Sequence, residues 1–300
     1  MSDSISPIHW QECKHRARSM AASFLWGGQV VLQRRGTAQS QARLGHRTIK
    51  SVGRACSIIH ALTKRHQGLS LGELAKDLQV HRSTALRLLA QLVDAGIAEH
   101  DKAAGVYYLG LEAIAMAGSV LGRFEMLRVA EPHLRHLSEV TRQTINYAVR
   151  HRNEMLVIEH IPPPNVFRNF DWLGYRSPLH KGAAGKALLA HLDDAAIASY
   201  LEAINASAPT IDATAFWREV LDIRERGFVV NRGEIDADVF SVGAPILNGS
   251  GACCASLVIA GYRNDLTADR IIEYSRLVMD AANAISDALG FERRRVVWMA

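Results

Sequence analysis

From Ile49 onward, apolar residues recur at helical spacing. In SVGRACSIIHALTKR, residues 51–65, Val52, Cys56, Ile59 and Leu62 follow one another by four or three positions, which predicts one amphipathic helix. GLSLGELAKDL comes next, with Ser70 placed as an N-cap and Glu73 three residues on, the pattern of a capping box. Leu71, Leu74, Ala75 and Leu78 are the inner face expected of that helix. A turn at 79–81 leads into RSTALRLLAQLVDAG, where Leu86, Leu89, Ala90 and Val93 are expected to face inward and Gly96 to end the helix. The period then changes. IAEHDKAAGVYYLG places two short runs around a turn containing Asp101, Lys102 and Gly105, the form of a β-hairpin. Three helices and a hairpin in this order predict a winged helix-turn-helix. The following LEAIAMAGSVLGR is helical and rich in small residues, and offers Leu111, Ile114, Ala115 and Gly118 for a close helix contact.

Beyond Phe124 the pattern mixes both periods. A helix is expected at MLRVAEPHLRHLSEVTRQ, then strands at TINYAVR and EMLVIEHI. A long loop runs through Pro162–Pro164 to Tyr175, and a helix begins near Ala183. Helices are expected again at DDAAIASYLEAI and TAFWREVLDIRERG, strands at FVVNR, VFSVGAPIL and ACCASLVIAGY, and a closing helix at TADRIIEYSRLVMDAANAISDALG. Strands interrupted by blocks of helices predict an antiparallel sheet with helices packed on it, an α+β (α/β) domain. The expected organisation is an extension at 1–46, a winged helix at 47–110, a linking helix at 111–123, a second domain at 124–290 and a basic tail at 291–300.

Charge sharpens this division. Residues 43–110 carry ten Lys/Arg against five acids, whereas residues 111–300 carry twenty against twenty-three. The basic surplus sits in the first third, so a polyanionic partner is expected for that third only. No apolar run is long enough to span a membrane, and no membrane partner is expected. KHRARSMAASFLWGGQVVLQRR imitates a signal peptide, but the residues after it lack a clear small-residue cleavage site, so a basic, poorly ordered extension is the expectation. Cys13, Cys56, Cys253 and Cys254 form no CxxC, which fits a reducing cytoplasm and gives no metal site.

Two chemistries then need weighing. QVHRSTALRLL, residues 79–89, has a polar start and an apolar remainder. One reading is an ordinary solvated helix start, in which Ser and Thr cap and Arg87 is a surface charge. The other is a recognition helix whose first turns enter a major groove, with Arg82, Ser83, Thr84 and Arg87 reaching bases or phosphates. The preceding helix, the hairpin and the local charge favour the second. His81 is either a phosphate contact or a turn residue. Lys50, Arg54, Lys64 and Lys102 could supply non-specific phosphate contacts. In the second half, SPLHKGAAGKALLAHL runs through a Gly-rich turn into a helix. Backbone amides at Gly182, Ala183, Ala184 and Gly185 would stand unpaired there and could receive a carboxylate; close packing that needs glycine is the alternative.

The chain resembles the IclR family of bacterial transcriptional regulators over residues 48–290. SVGRACSIIHAL, LSLGELAKDLQVHRSTALRLLAQLVDAGI, LGYRSPLHKGAAGKALLA and SVGAPILN carry the resemblance. It implies a winged-helix DNA-binding domain, a linking helix, a GAF-like effector domain, and dimers or dimers of dimers on palindromic operators. It also implies that the 182–185 segment borders an effector pocket, with Leu173, Tyr175, Glu234, Asp236, Ser241, Val258 and Ala260 as further candidates. Here the chain departs from the family's commoner form: Ser241 stands where cysteine is frequent, and Val258 and Ala260 where serines are. That loss of hydroxyls makes a highly polar ligand such as glyoxylate less favoured. The aromatics Phe167, Phe170, Trp172 and Tyr175 favour an aromatic or otherwise apolar acid, with loop packing as the alternative.

Catalytic readings find no support. There is no GxSxG, HExxH or P-loop, and GAAGKAL lacks both the spacing and the hydroxyl of a phosphate loop. No enzyme activity, catalytic residue, cofactor or metal is expected. The sequence therefore predicts a cytoplasmic, ligand-responsive regulator that binds double-stranded operator DNA, a small carboxylate effector and copies of itself. An architectural or protein-docking winged helix without small-molecule sensing is the alternative.

Overall fold

The computed structural model describes residues 49–65, 67–122, 124–163, 172–206 and 211–292. The expected 1–46 extension, Phe167, Phe170 and all but the first residues of the tail lie outside them. The described chain divides into two compact units. One extends to Leu92 and takes in His100–Tyr108; the other takes in Val93–Glu99 and the chain from Leu109. No helix among the described residues is long and apolar enough to cross a membrane.

The first unit holds α1 (Lys50–Thr63), β1 (Leu69–Ser70), α2 (Leu71–Asp77) and all but the edges of α3 (Arg82–Asp94), β2 (Ala98–Asp101) and β3 (Val106–Leu109), of which Val93–Asp94, Ala98–Glu99 and Leu109 count with the other. The capping box forms as its spacing requires. Ser70 Oγ accepts from the Glu73 N–H at 3.3 Å, and Glu73 Oε2 accepts from the Ser70 N–H at 2.9 Å. Gln79, at φ 53°, turns the chain between α2 and α3, and Gly96, at φ 70°, closes the stretch that follows α3. The expected hairpin is a three-stranded sheet of order β1-β3-β2, because Leu69 and Ser70 pair with Tyr107 and Val106. Two residues show no helix or strand period of their own, which is why sequence pattern misses β1.

Two apolar stripes differ from their expected positions. In α1 the buried residues are Ile58 and Leu62, while Val52 and Cys56 are exposed. In α3 the buried residues are Ala85, Leu89 and Leu92, while Leu86 and Val93 are 48% and 37% exposed and Ala90 is exposed. Both sets of each helix obey the 3.6-residue period, so periodicity defines an apolar arc wider than the seam that packing closes over.

The second unit holds α4 (Glu112–Leu121), α5 (Glu125–Thr141), β4 (Thr144–His151), β5 (Glu154–Ile161), β6 (Arg176–Pro178), α6 (Gly182–Ala190), α7 (Asp194–Asn205), α8 (Ala213–Arg226), β7 (Val229–Arg232), β8 (Val239–Leu247), β9 (Cys253–Tyr262) and α9 (Ala268–Ala288). The strands form one antiparallel sheet of order β6-β5-β4-β9-β8-β7. β6 follows the expected long loop, at the start of SPLH, and is held by Glu154, Met155 and Leu156 of β5. Period-2 alternation sends side chains to two cores. Ile145, Tyr147, Phe240, Val242, Leu257 and Ile259 pack with α5 and α9, whereas Ala148, Val157, Val258 and Ala260 pack with α6, α7 and α8. The adjacent cysteines of β9 are half-buried and structural. Their Sγ atoms contact the Ala255 and Ile246 carbonyls, and burial pushes the Cys253 thiol up to about 12.

The position of the α3 stripe is testable. Leu89→Ala removes a side chain with no exposure and should cost about 2–5 kcal/mol, whereas Leu86→Ala should stay within about 0.5 kcal/mol. Urea denaturation of the two variants checks this. Equal losses would restore Leu86 to the core.

Candidate functional site

In the first unit, the start of α3 carries the candidate chemistry. The His81 carbonyl accepts from the Thr84 and Ala85 N–H groups at 2.9 and 3.2 Å, so His81 holds the helix start. Its Nδ1 accepts from the Ser83 N–H at 3.3 Å and lies 2.8 Å from Ser83 Oγ, which leaves the ring proton on Nε2. His81 is thus a turn residue whose Nε2 still offers a donor. Arg82, Ser83, Leu86 and Arg87 are exposed; Thr84, beside buried Ala85, is half-buried. Lys50 and Lys64 of the α1 segment are exposed, and Arg54 is half-buried. In the hairpin turn, Asp101 Oδ1 accepts from the Ala103 and Ala104 N–H groups at 2.8 and 3.0 Å, with Gly105 at φ 70°. That tight turn leaves Lys102 exposed at its tip.

In the second unit, sheet register assembles a site from distant segments. Asn146 of β4 lies opposite Val258 of β9, Ala260 of β9 opposite Ser241 of β8, and Ser241 opposite Asn231 of β7. These five residues share the sheet face that packs with α6. Helix α6 comes very close: a Cβ on Gly243 would stand 3.2 Å from the Ala183 Cβ. Between the helix start, the sheet and the segment 231–239 lies a cavity of about 40 Å³. Of the sequence candidates, Ala183, Ala184, Asp236, Ser241, Val258 and Ala260 line it.

The other candidates do different work. Gly182, at φ 71°, accommodates Ile235, whose Cδ1 would lie 2.4 Å from an added Cβ. Gly185 permits close packing on Leu179, whose carbonyl would lie 2.7 Å from a Cβ. Leu173 is exposed, and Tyr175 meets Trp172 edge-on with ring centroids 4.9 Å apart. Burial, with the Asp236 charge adding to it, raises the Tyr175 phenol. Sequence reading missed Asn146, Met155, Val157, Asn231, Ile235 and Val239 among the lining residues. A signal for two of them was present: Asn146 and Asn231 are amides set within otherwise apolar strands.

Two of the amides at the helix start have partners within the protein. The Gly182 N–H donates to Glu234 Oε2 at 3.0 Å, and the Ala183 N–H donates to Ser241 Oγ at 3.4 Å. Asn231 ties the segment together: its Nδ2 donates to Ser241 Oγ at 3.2 Å and its Oδ1 accepts from the Glu234 N–H at 3.1 Å. Lys186, buried on α6, donates to Glu219 Oε1 at 2.6 Å and Glu234 Oε1 at 2.5 Å. Burial disfavours its charge, but the two carboxylates outweigh that and hold its pKa above 10.5.

Comparison with known proteins places this architecture. The model of the IclR C-terminal domain of bacterial transcriptional regulators matches residues 118–287, and that of the IclR helix-turn-helix domain matches residues 51–102. The chain belongs to the IclR family. It is 28% identical over 265 residues to the HTH-type transcriptional repressor AllR of Escherichia coli K12, covering 87% of this chain and 98% of AllR. Among solved structures, IclR of Thermotoga maritima is 26% identical with a TM-score of 0.63, covering 80% of this chain and 99% of its own. An IclR homologue of Microbacterium hydrocarbonoxydans complexed with 4-hydroxybenzoate shares the fold at 22% identity and a TM-score of 0.66, covering 80% and 98%. The winged helix and the six-stranded effector-type domain are therefore those of this regulator family.

The Lys186 clamp yields a measurable consequence. Lys186→Met leaves two carboxylates facing one another and should cost about 1–3 kcal/mol, less than a fully buried pair because both acids keep solvent contact. Since the folded pKa is raised, the charged lysine's contribution is complete below 10.5 and is lost as pH climbs through the raised value. Thermal melts of both proteins should differ by a constant amount from neutral pH to pH 9 and converge only at higher pH.

Proposed function

We propose that this IclR-family chain is a ligand-responsive transcriptional regulator acting in the cytoplasm, with residues 47–110 binding operator DNA, 111–123 linking, and 124–290 sensing a small molecule. The observation that carries it is the start of α3, where Arg82, Ser83 and Arg87 stand exposed in the segment that holds the basic surplus. Major-groove readers put such residues at the N-terminal turns of the recognition helix, where Arg pairs with guanine or phosphate and Ser with either. His81 Nε2, Thr84, Lys50, Arg54 and Lys102 supplement that contact, chiefly through phosphate. No catalytic step is assigned to the chain.

Sensing is supported by a cavity with amide, hydroxyl and carboxylate groups converging in an apolar wall. A carboxylate ligand has the support of the 4-hydroxybenzoate held by the Microbacterium homologue. Against an aromatic acid stands size: about 40 Å³ is far below the ~150 Å³ that admits benzene. Ligand binding regulates if its affinity differs between two domain arrangements. Reading two half-sites requires two copies. Helix α4 supports self-association as a dimer or tetramer, since Leu111 beside it and Ile114, Met116 and Val120 on it are exposed. The exposure of Leu86 beside Arg87 favours one second reading, a winged helix that docks a protein.

Fluorescence anisotropy with the chain's own upstream DNA tests the reading. Affinity should fall steeply with salt, and Arg87→Ala should cost about 1–3 kcal/mol. Weak binding that salt leaves unchanged would support protein docking instead. Light scattering on the full-length protein should give a dimer or tetramer mass, and Ile114→Glu should lower it.

A further inference from the structure

Leu86 is 48% exposed, whereas Leu89 and Leu92 of the same helix are buried. A single exposed leucine is common on a protein surface; the neighbours of this one set it apart. Ser83, Leu86, Arg87 and Ala90 stand at i, i+3, i+4 and i+7, so they share one face of α3. All four are exposed, while Ala85, Leu89 and Leu92 are buried on the other side. Leu86 lies one turn beyond Ser83 and next to Arg87. Ser83 and Ala90, one turn to either side, have short side chains, so Leu86 is the apolar group that protrudes from this face.

The surroundings favour nucleic acid over protein as its partner. From Arg82 to Val93 the helix carries two arginines and no acid, and its N-terminal end adds the positive pole of the helix dipole. The exposed apolar surface beside Leu86 is small: Ala90 is one turn on, and Val93, 37% exposed, is two turns on. Three side chains fall far short of the about 20–30 residues a side that a stable protein interface engages. A helix that lays Ser83 and Arg87 in a major groove carries Leu86 to the base edges with them. The apolar group exposed on that groove floor is the 5-methyl of thymine, which aliphatic side chains contact.

We propose that Leu86 is a specificity-determining residue that packs on the 5-methyl group of a thymine in each operator half-site. This rests on the reading of residues 47–110 as an operator-binding domain, and the experiment separates the two. The chain's own upstream DNA is footprinted with the full-length protein. Each thymine of the footprint is then replaced in turn by deoxyuridine, which removes the methyl and keeps every hydrogen-bonding group. In fluorescence anisotropy, one such replacement per half-site should lower affinity about fourfold, the effect of returning one methyl to water. Leu86→Ala should bind the thymine and deoxyuridine duplexes alike at that position. If binding is steeply salt-dependent but no deoxyuridine lowers affinity, the thymine assignment falls and operator binding stands, which leaves Leu86 to a protein partner. A difference that persists undiminished in Leu86→Ala places another residue on the methyl and equally overturns the assignment. If the upstream DNA is bound weakly at every salt concentration, the operator reading falls and the assignment with it. The wild-type scan needs no variant, so it decides alone should Leu86→Ala not fold.

Discussion

The second unit is organised around one buried ammonium. Helix α6 is buried along its whole length, and its sequence GAAGKALLA sets Lys186 among glycine, alanine and leucine. A buried charge is tolerated only when paired, so the fold must deliver carboxylates to it. It does so from two directions, Glu219 on α8 and Glu234 on the segment that follows β7. Because Glu234 also accepts from the Gly182 N–H, the same clamp caps α6 and fixes its start above the sheet. The cavity is the space that remains between these parts. Lys186 and the Gly182 and Ala183 amides thus find their partners inside the structure.

The winged helix meets a different constraint: one helix must be anchored firmly while most of its first turn stays free. Ala85 and Leu89 supply the anchor, and the His81 ring and carbonyl satisfy N–H groups of the first turn without drawing on Arg82 or Arg87. The capping box of α2 and the left-handed Gln79 set the angle at which α3 departs. At the hairpin, Asp101 plays the same part for the backbone, which leaves the Lys102 ammonium in solvent. In both places short-range hydrogen bonds fix backbone, and the cationic side chains are left for a partner.

Much of the fold was legible because it depends on local rules. Strands 154–161 and 239–247 follow from short runs of β-forming residues, and the Ser70–Glu73 box from a three-residue spacing. The order of helix, turn, helix and hairpin follows in the same way. The two-domain plan came from the change of period near Phe124, and the resemblance added what each domain is for. Ala183 and Ala184 were legible from the Gly-rich turn, and Asp236, Ser241, Val258 and Ala260 through that resemblance. What escaped was short or non-local. β1 exists because a neighbouring strand holds it, and the α1 and α3 stripes were displaced because packing selects one edge of a wider apolar arc.

By itself, then, the sequence determined the elements, their order, the basic character of the first third and the residues available at the start of α3. Each depends on interactions within a few positions of the chain. The tertiary structure alone decided the state of the helix start at Gly182. Glu234 lies fifty-two positions away and Ser241 fifty-eight from the amides they meet. No local pattern marks them, because sheet register and the demand of Lys186 bring them there. That distant pairing occupies two amides that the local pattern leaves open.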